Sequence, residues 1–273
     1  MLTYVFLSTF PCGGSVSVIE SSNLAFIEIM GYAGADFVII DLEHGPNSIQ
    51  TAQILVRAAE LAGSVPIVRV KEGNDSVIGE ALDIGAAGIQ VPQIETAVQA
   101  ENVIKRMKFA PEGERGVCRF VRAAQYSANG RFKYFKRANE AVAILQIEGM
   151  SGIQNLHEIL QVPGIDLLFI GPYGLSQSLG LTGQIAHPLI EEKIHKITKA
   201  CMQKGVATEI FAYALISSSI SLKSPVKPQI YSISAILTNY NYFNSADIFS
   251  VRRSILGNFN TEIPQLYPLG YCK

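Results

Sequence analysis

Short Val/Ile-rich runs alternate with longer amphipathic stretches along most of this chain. That alternation constrains the fold more than any other feature. Candidate strands are Tyr4 to Leu7, Phe37 to Asp41, Pro66 to Val70, Gly88 to Val91, Ala141 to Ile147, Leu167 to Ile170, Val206 to Ile210 and Ile233 to Leu237. Several lack polar alternation, as strands covered on both faces should. Ile49 to Leu61 carries apolar residues at helical spacing, and Gly63 follows as a stop. Ile190 to Lys204 is a second amphipathic segment, with Gly205 as its C-terminal cap. Strand-then-helix alternation predicts parallel pairing. Eight candidate strands favour closure into a (β/α)₈ barrel over an open sheet. Such a barrel takes about 250 residues. The chain has 273, so one α/β domain spanning 1–273 is the simplest organisation.

Two regions depart from the pattern. Residues 111–140 form a long excursion between the fourth and fifth candidate strands, rich in Arg, Lys, Gly and aromatics. It reads as a rim loop with a short helix, since long loops in compact domains are often functional. Residues 213–232 are Ser-rich and contain Pro225 and Pro228, which interrupt the helix expected there. They and residues 257–273 read as irregular or divergent.

The net charge is −1 and no block of like charge occurs. This argues against nucleic acid or an anionic membrane as the partner. Cys12, Cys118, Cys201 and Cys272 are scattered without a CxxC pair, which suits a reduced, cytoplasmic setting. No basic leader with a long apolar core is present, and no apolar run of about 18 residues, so neither a signal peptide nor a transmembrane helix is expected.

The candidate chemistry gathers where strands end. Asp41 and His44 stand three positions apart as a strand runs into a loop. A carboxylate accepting from imidazole fixes its tautomer and raises its basicity, which suits a general base or acid. Taken alone, a loop histidine tied down by a local turn is the commoner reading. Arg69 ends the third candidate strand, where a guanidinium can hold a carboxylate or stabilise an enolate oxygen. A solvent-facing rim arginine is the alternative. Glu148 ends the fifth, with Gln146 two residues earlier on the same side. Glu148 offers an oxygen ligand of the kind Mg²⁺ or Mn²⁺ prefers, or simply starts the next helix. Gly171-Pro172-Tyr173-Gly174 follows the sixth and could present backbone N–H groups to an anion, but a plain strand-to-helix turn also uses Gly and Pro. Asp83 precedes a Gly-Ala-rich turn and reads as structural or as a subunit contact. Arg115, Arg119 and Arg122 cluster in the long excursion. They suit an anionic substrate or, more commonly, a solvated loop. His157, His187 and His195 lack metal-ligand partners nearby in sequence.

Taken together, GYAGADFVIIDLEHGPN, VPIVRV, ALDIGAAGIQVPQIET, EGERG, LQIEG and LLFIGPYGLSQSLG resemble the HpcH/HpaI aldolase family of class II pyruvate aldolases. The phrases occur in family order over roughly residues 20–211. The resemblance implies a (β/α)₈ barrel of the phosphoenolpyruvate/pyruvate type, in a hexamer of dimers that exchange their last helix. It implies reversible aldol cleavage of a hydroxylated 2-oxo acid to pyruvate and an aldehyde, with Mg²⁺, Mn²⁺ or Co²⁺. By similarity His44 and Asp41 are the acid/base pair, and Arg69 holds the pyruvyl group. Glu148 ligates the metal and Gln146 lines the substrate site. Gly171, Pro172 and Tyr173 contact the substrate carboxylate through their backbone, and Asp83 lies near the rim, where it could contribute across the dimer. One position departs. The family phrase is Gly-Pro, any residue, then Asp-Leu-Ser, and here Gly174 replaces the aspartate that serves as second metal ligand. Two alternatives follow: an aldolase-fold protein with impaired or lost activity, and a citrate-lyase-like enzyme acting on CoA thioesters.

Overall fold

The computed structural model describes residues 3–8, 14–71, 73, 75–128 and 130–210. Its centre is one eight-stranded sheet in chain order. The strands are β1 Thr3–Ser8, β2 Gly14–Ile19, β3 Phe37–Asp41, β4 Val65–Arg69, β5 Gly88–Val91, β6 Val142–Ile147, β7 Leu167–Ile170 and β8 Ala207–Ile210. From β2 to β8 each strand pairs in parallel with the next. The sheet curls so that β1 approaches β8.

The first strand corrects the sequence expectation. Residues 4–7 do form a strand, but β1 pairs antiparallel with β2. Only five residues join the two, too few for a parallel crossover. The parallel series therefore begins at β2, whose GSVSVI sequence alternates small polar residues with valines rather than forming an apolar run. The candidate strand Ile233 to Leu237 and the stretches 213–232 and 257–273 lie outside the described residues.

Helices α1 Leu24–Tyr32, α2 Ile49–Leu61, α3 Asp75–Asp83, α4 Ala97–Met107, α5 Arg131–Ala138, α6 Met150–Gln154, α7 Leu156–Ile159, α8 Pro172–Ser178 and α9 Pro188–Lys204 fill the connections. Their ends follow local chemistry. Ser48 accepts from the Thr51 N–H at the start of α2, and Thr96 forms a reciprocal capping box with Gln99 at the start of α4. Gly205 ends α9 at φ 71°, a left-handed cap that costs other residues more than glycine.

Strand parity divides the core in two. Val38, Ile40, Val68, Ile89, Val91, Leu145, Ile147, Leu168 and Ile170 face outward and pack with the helices. The alternate residues Val18, Phe37, Ile39, Ile67, Ile144, Leu167 and Phe169 form a separate apolar cluster on the concave face. Towards the carboxyl ends of the strands the concave face turns polar, with Asp41, Arg69, Gln90 and Gln146 all buried. Buried polar groups need partners, so this is where the fold places its bonding constraints.

The long excursion is not at that rim. It leaves α4 and returns to the amino end of β6, where Lys108 Nζ bonds the carbonyls of Asn139 and Ala141. Phe109, Ala124 and Tyr134 give it a small core of its own. It does hold a helix, α5, after a 3₁₀ turn over Arg122–Ser127. Helices between parallel strands run back against them, so a segment that follows α4 emerges at the amino ends. The three arginines are therefore far from the candidate chemistry. Arg115 bonds Asp83 at 2.7 Å, Arg119 bonds Ser127 at 2.9 Å, and Arg122 pairs with Glu60. Asp83, the last residue of α3, shares this location. Its expected place near the rim of its own barrel is not met, for the same topological reason.

Candidate active site

The carboxyl rim is organised around one buried ion pair. Asp41 and Arg69 are in register on neighbouring strands. Arg69 Nε donates to Asp41 Oδ1 at 2.9 Å and Nη2 to Oδ2 at 2.8 Å, a two-pronged bond between side chains 4% and 0% exposed. Burial opposes the guanidinium charge. The bond to Asp41 and the carboxylates of Asp41, Glu43 and Glu148 outweigh it, and the Arg69 pKa ends above its ordinary value. Arg69 is therefore a permanent cation held at the floor of the site, not a solvated rim residue.

Asp41 also closes the following loop. Its carboxylate accepts from the backbone N–H of Glu43 at 2.8 Å and of His44 at 3.3 Å, and Asn47 Nδ2 donates to its carbonyl at 3.1 Å. The carboxylate is thus taken up by Arg69 and two amides. The expected Asp41–imidazole bond is absent. The His44 ring, 66% exposed, has the Glu43 carboxylate as its acidic neighbour instead, with Nε2 3.6 Å from Oε1. Asp41 lies within the sheet and cannot follow an imidazole on an exposed loop. Glu43 is carried on that loop.

Glu43 received no role from sequence. Its side chain is only 7% exposed, with Oε2 lying 3.5 Å from Arg69 Nε but making no hydrogen bond among the described residues. Burial raises its pKa. Arg69 and His44 act to lower it, while Glu148 and Asp41 add to the rise. Gln90 is a second addition: its Nε2 donates to Gln146 Oε1 at 2.5 Å across the concave face. Gln146 keeps its expected inward place beside Glu148. The signal for Gln90 was present in the sequence, as a polar residue at inward parity within an apolar strand.

Glu148 follows β6 and leans over the start of α8. Its Oε1 accepts from the backbone N–H of Gln93 at 3.0 Å. Gln93 reaches this position with φ 56°, unusual for a residue with a side chain. No pattern in the sequence announces that turn. Next to Glu148 lie the bare Cα positions of Gly171 and Gly174. A Cβ on Gly174 would stand 2.5 Å from Glu148 Oε2 and 2.8 Å from its Cβ.

The Gly171–Tyr173 turn, expected to meet a substrate carboxylate through its backbone, forms the N-terminal start of α8. Gly171 donates its N–H to the Ile147 carbonyl at 3.1 Å, and Pro172 has none to offer. Tyr173 is half-exposed, and its carbonyl accepts from Ser176 Oγ at 2.7 Å. Deeper on the concave side, β8 places Glu209 in register with Phe169. Glu209 is 3% exposed, and neither carboxyl oxygen has a hydrogen-bond partner among the described residues. Burial pushes its pKa up to about 8. Sequence reading overlooked it, although a carboxyl at the inward-facing third position of the short Ala-Thr-Glu-Ile strand was visible.

Among the described residues, no three or more His, Cys, Asp or Glu side chains converge as a ready-made metal cage. No described helix is long and apolar enough to cross a membrane. The rim instead carries Asp41, Glu43 and Glu148 against Arg69, with the Asp41 charge already matched.

Known proteins share this arrangement of sequence and fold. The family profile described as HpcH/HpaI aldolase/citrate lyase matches residues 15–221. The hydroxypyruvate/pyruvate aldolase of Roseobacter denitrificans is 40% identical over 185 residues, covering 67% of this chain and 72% of that protein. The 2-dehydro-3,6-dideoxy-6-sulfogluconate aldolase of Pseudomonas putida is 37% identical over 188 residues, covering 68% and 72%. The crystal structure of an HpcH/HpaI aldolase/citrate lyase family protein from Burkholderia cenocepacia superposes with a TM-score of 0.68 at 35% identity, covering 71% of this chain and 78% of that one. A matched span that runs from the second residue of β2 through β8, and takes in the whole carboxyl rim, makes this chain a member of the HpcH/HpaI aldolase/citrate lyase family.

Proposed function

We propose that this protein is a carbon–carbon lyase that cleaves a hydroxylated 2-oxo acid to pyruvate and an aldehyde, with a divalent metal ion as cofactor. The observation that carries the reading is the buried Arg69 cation set among three carboxylates at the rim. A small anionic substrate whose negative charge grows during reaction needs such a cation.

The donor set suits a hard, hydrated ion held by few protein groups. Glu148 offers a carboxylate, Glu43 has a buried oxygen without a hydrogen bond, and Gly174 offers no side chain. Mg²⁺ commonly relies on one or two carboxylates plus water and substrate oxygens. Glu148 would hold the ion, and Glu43 would add negative charge beside it. Once bound, such an ion polarises the 2-oxo group as a Lewis acid.

The remaining work falls to the chain's own residues. Asp41 fixes Arg69 in place, and Arg69 offsets the charge of the enolate. His44, exposed beside the buried Glu43 carboxylate, takes the proton of the substrate hydroxyl as the adjacent C–C bond breaks and the aldehyde carbonyl forms, and delivers a proton to the enolate carbon to give pyruvate, directly or through water. Gln146, aligned by Gln90, lines the concave side. Closure into an eight-stranded barrel, exchange of a last helix in a dimer-based homo-oligomer, and a cytoplasmic setting belong to the same proposal and rest on the family resemblance.

The test is exchange of pyruvate methyl protons in D₂O, followed by NMR with and without Mg²⁺. It needs no knowledge of the aldehyde. Exchange that requires Mg²⁺ and is lost in Glu148→Ala and His44→Ala, with folding retained, is expected. Absence of exchange in the wild type would overturn the reading and favour the inactive barrel that Gly174 suggests.

A further inference from the structure

Glu148 is held by two features of the backbone, and neither is a side chain. On one side the Gln93 N–H meets Oε1 at 3.0 Å, which requires the left-handed φ of 56° at a residue other than glycine. Such a conformation costs energy and persists only where surrounding structure enforces it. On the other side, Glu148 fills the space over Gly174. A Cβ there would collide with Oε2 at 2.5 Å, with Cβ at 2.8 Å and with Cγ at 3.0 Å. The tip of a side chain can swing away, but Cβ is fixed by the backbone of the β6 end. A Cβ on Gly171 would likewise come within 2.9 Å of Glu148 Cβ.

We infer that Gln93 and Gly174 are positioning residues that together set the orientation of the Glu148 carboxylate. Gly174 is then more than a missing ligand. Its bare Cα leaves room for the Glu148 carboxylate, and an aspartate side chain at this position and Glu148 in its present place exclude each other. The functional meaning of the orientation rests on the lyase reading above, but the contact itself does not.

The contact can be read without metal or substrate. In ¹⁵N-labelled protein, amide hydrogen exchange at Gln93 should be slowed in the wild type. It should speed up about ten-fold or more in Glu148→Ala and in Gly174→Ala, and stay slow in Gln93→Gly, which keeps the N–H and favours the left-handed turn. Mn²⁺ affinity, followed by EPR, should fall about ten-fold or more in Gly174→Ala, the range seen when a group orienting a metal ligand is lost. A Gln93 amide that exchanges freely in the wild type, or stays slow in Glu148→Ala, overturns the inference. That measurement uses no Gly174 variant and so survives if Gly174→Ala fails to fold. Slow exchange that depends on Glu148, in a wild type that never enolises pyruvate, upholds the positioning and removes the lyase reading alone.

Discussion

Replacing Glu209 by glutamine should change how stability responds to pH. Glu209 is 3% exposed beneath the rim, with both carboxyl oxygens unpartnered among the described residues. Its pKa is pushed from an ordinary 4.5 up to about 8 by burial. Below about pH 4.5 the group is protonated folded or unfolded, and it imposes no electrostatic cost. Between about 4.5 and 8 the unfolded chain releases the proton while the folded chain keeps it. Folding then takes up a proton, so stability falls as pH rises and levels off above about 8. The slope is ~1.4 kcal/mol per pH unit within that window. Because the slope flattens near each end of the window, the wild type should lose about 3–4 kcal/mol through this group alone between pH 5 and pH 8. An amide cannot ionise, so Glu209→Gln should lack that loss. Urea unfolding of both proteins at pH 5, 6, 7 and 8 measures it. The mutant should gain on the wild type as pH rises, whatever its standing at pH 5, since the amide also lacks partners. A stability difference that is flat across the series would refute the reasoning, because it would mean that Glu209 is solvated or paired.

Two further outcomes follow from the bonding pattern. Asp41→Asn leaves the Arg69 charge buried without its two-pronged partner, and should destabilise the fold by about 3–5 kcal/mol in urea unfolding. Arg69→Met in the same background should recover much of that loss, since an apolar residue needs no counter-charge. Thr96→Ala removes the capping box of α4 and should cost about 1 kcal/mol, read from the same unfolding midpoints.

The sheet was largely legible because its strands are covered on both faces. Phe37-Val38-Ile39-Ile40 and Leu167-Leu168-Phe169-Ile170 are apolar at every position, and both form strands where expected. Gly14–Ile19 escaped notice because its small polar residues hide a half-apolar pattern. Gly205 was readable as a cap because glycine adopts its left-handed turn at little cost. Gln93 was not, because nothing in its side chain asks for one.

Local sequence determined that Asp41, Arg69, Gln146 and Glu148 stand at strand ends. Parity along a strand and the strand-to-helix switch are short-range properties, so single runs encode them. Which of those groups touch was decided only by the tertiary structure. Register between β3 and β4 hands Asp41 to Arg69 and leaves His44 to Glu43. The backward run of α3 and α4 carries Asp83 and the three arginines to the opposite end of the sheet. Glu148 meets Gln93 across 55 residues of chain, and the space it fills is set by a glycine 26 residues further on. Side-chain pairing of this kind depends on strand register and backbone dihedrals far apart in sequence, which no local pattern records.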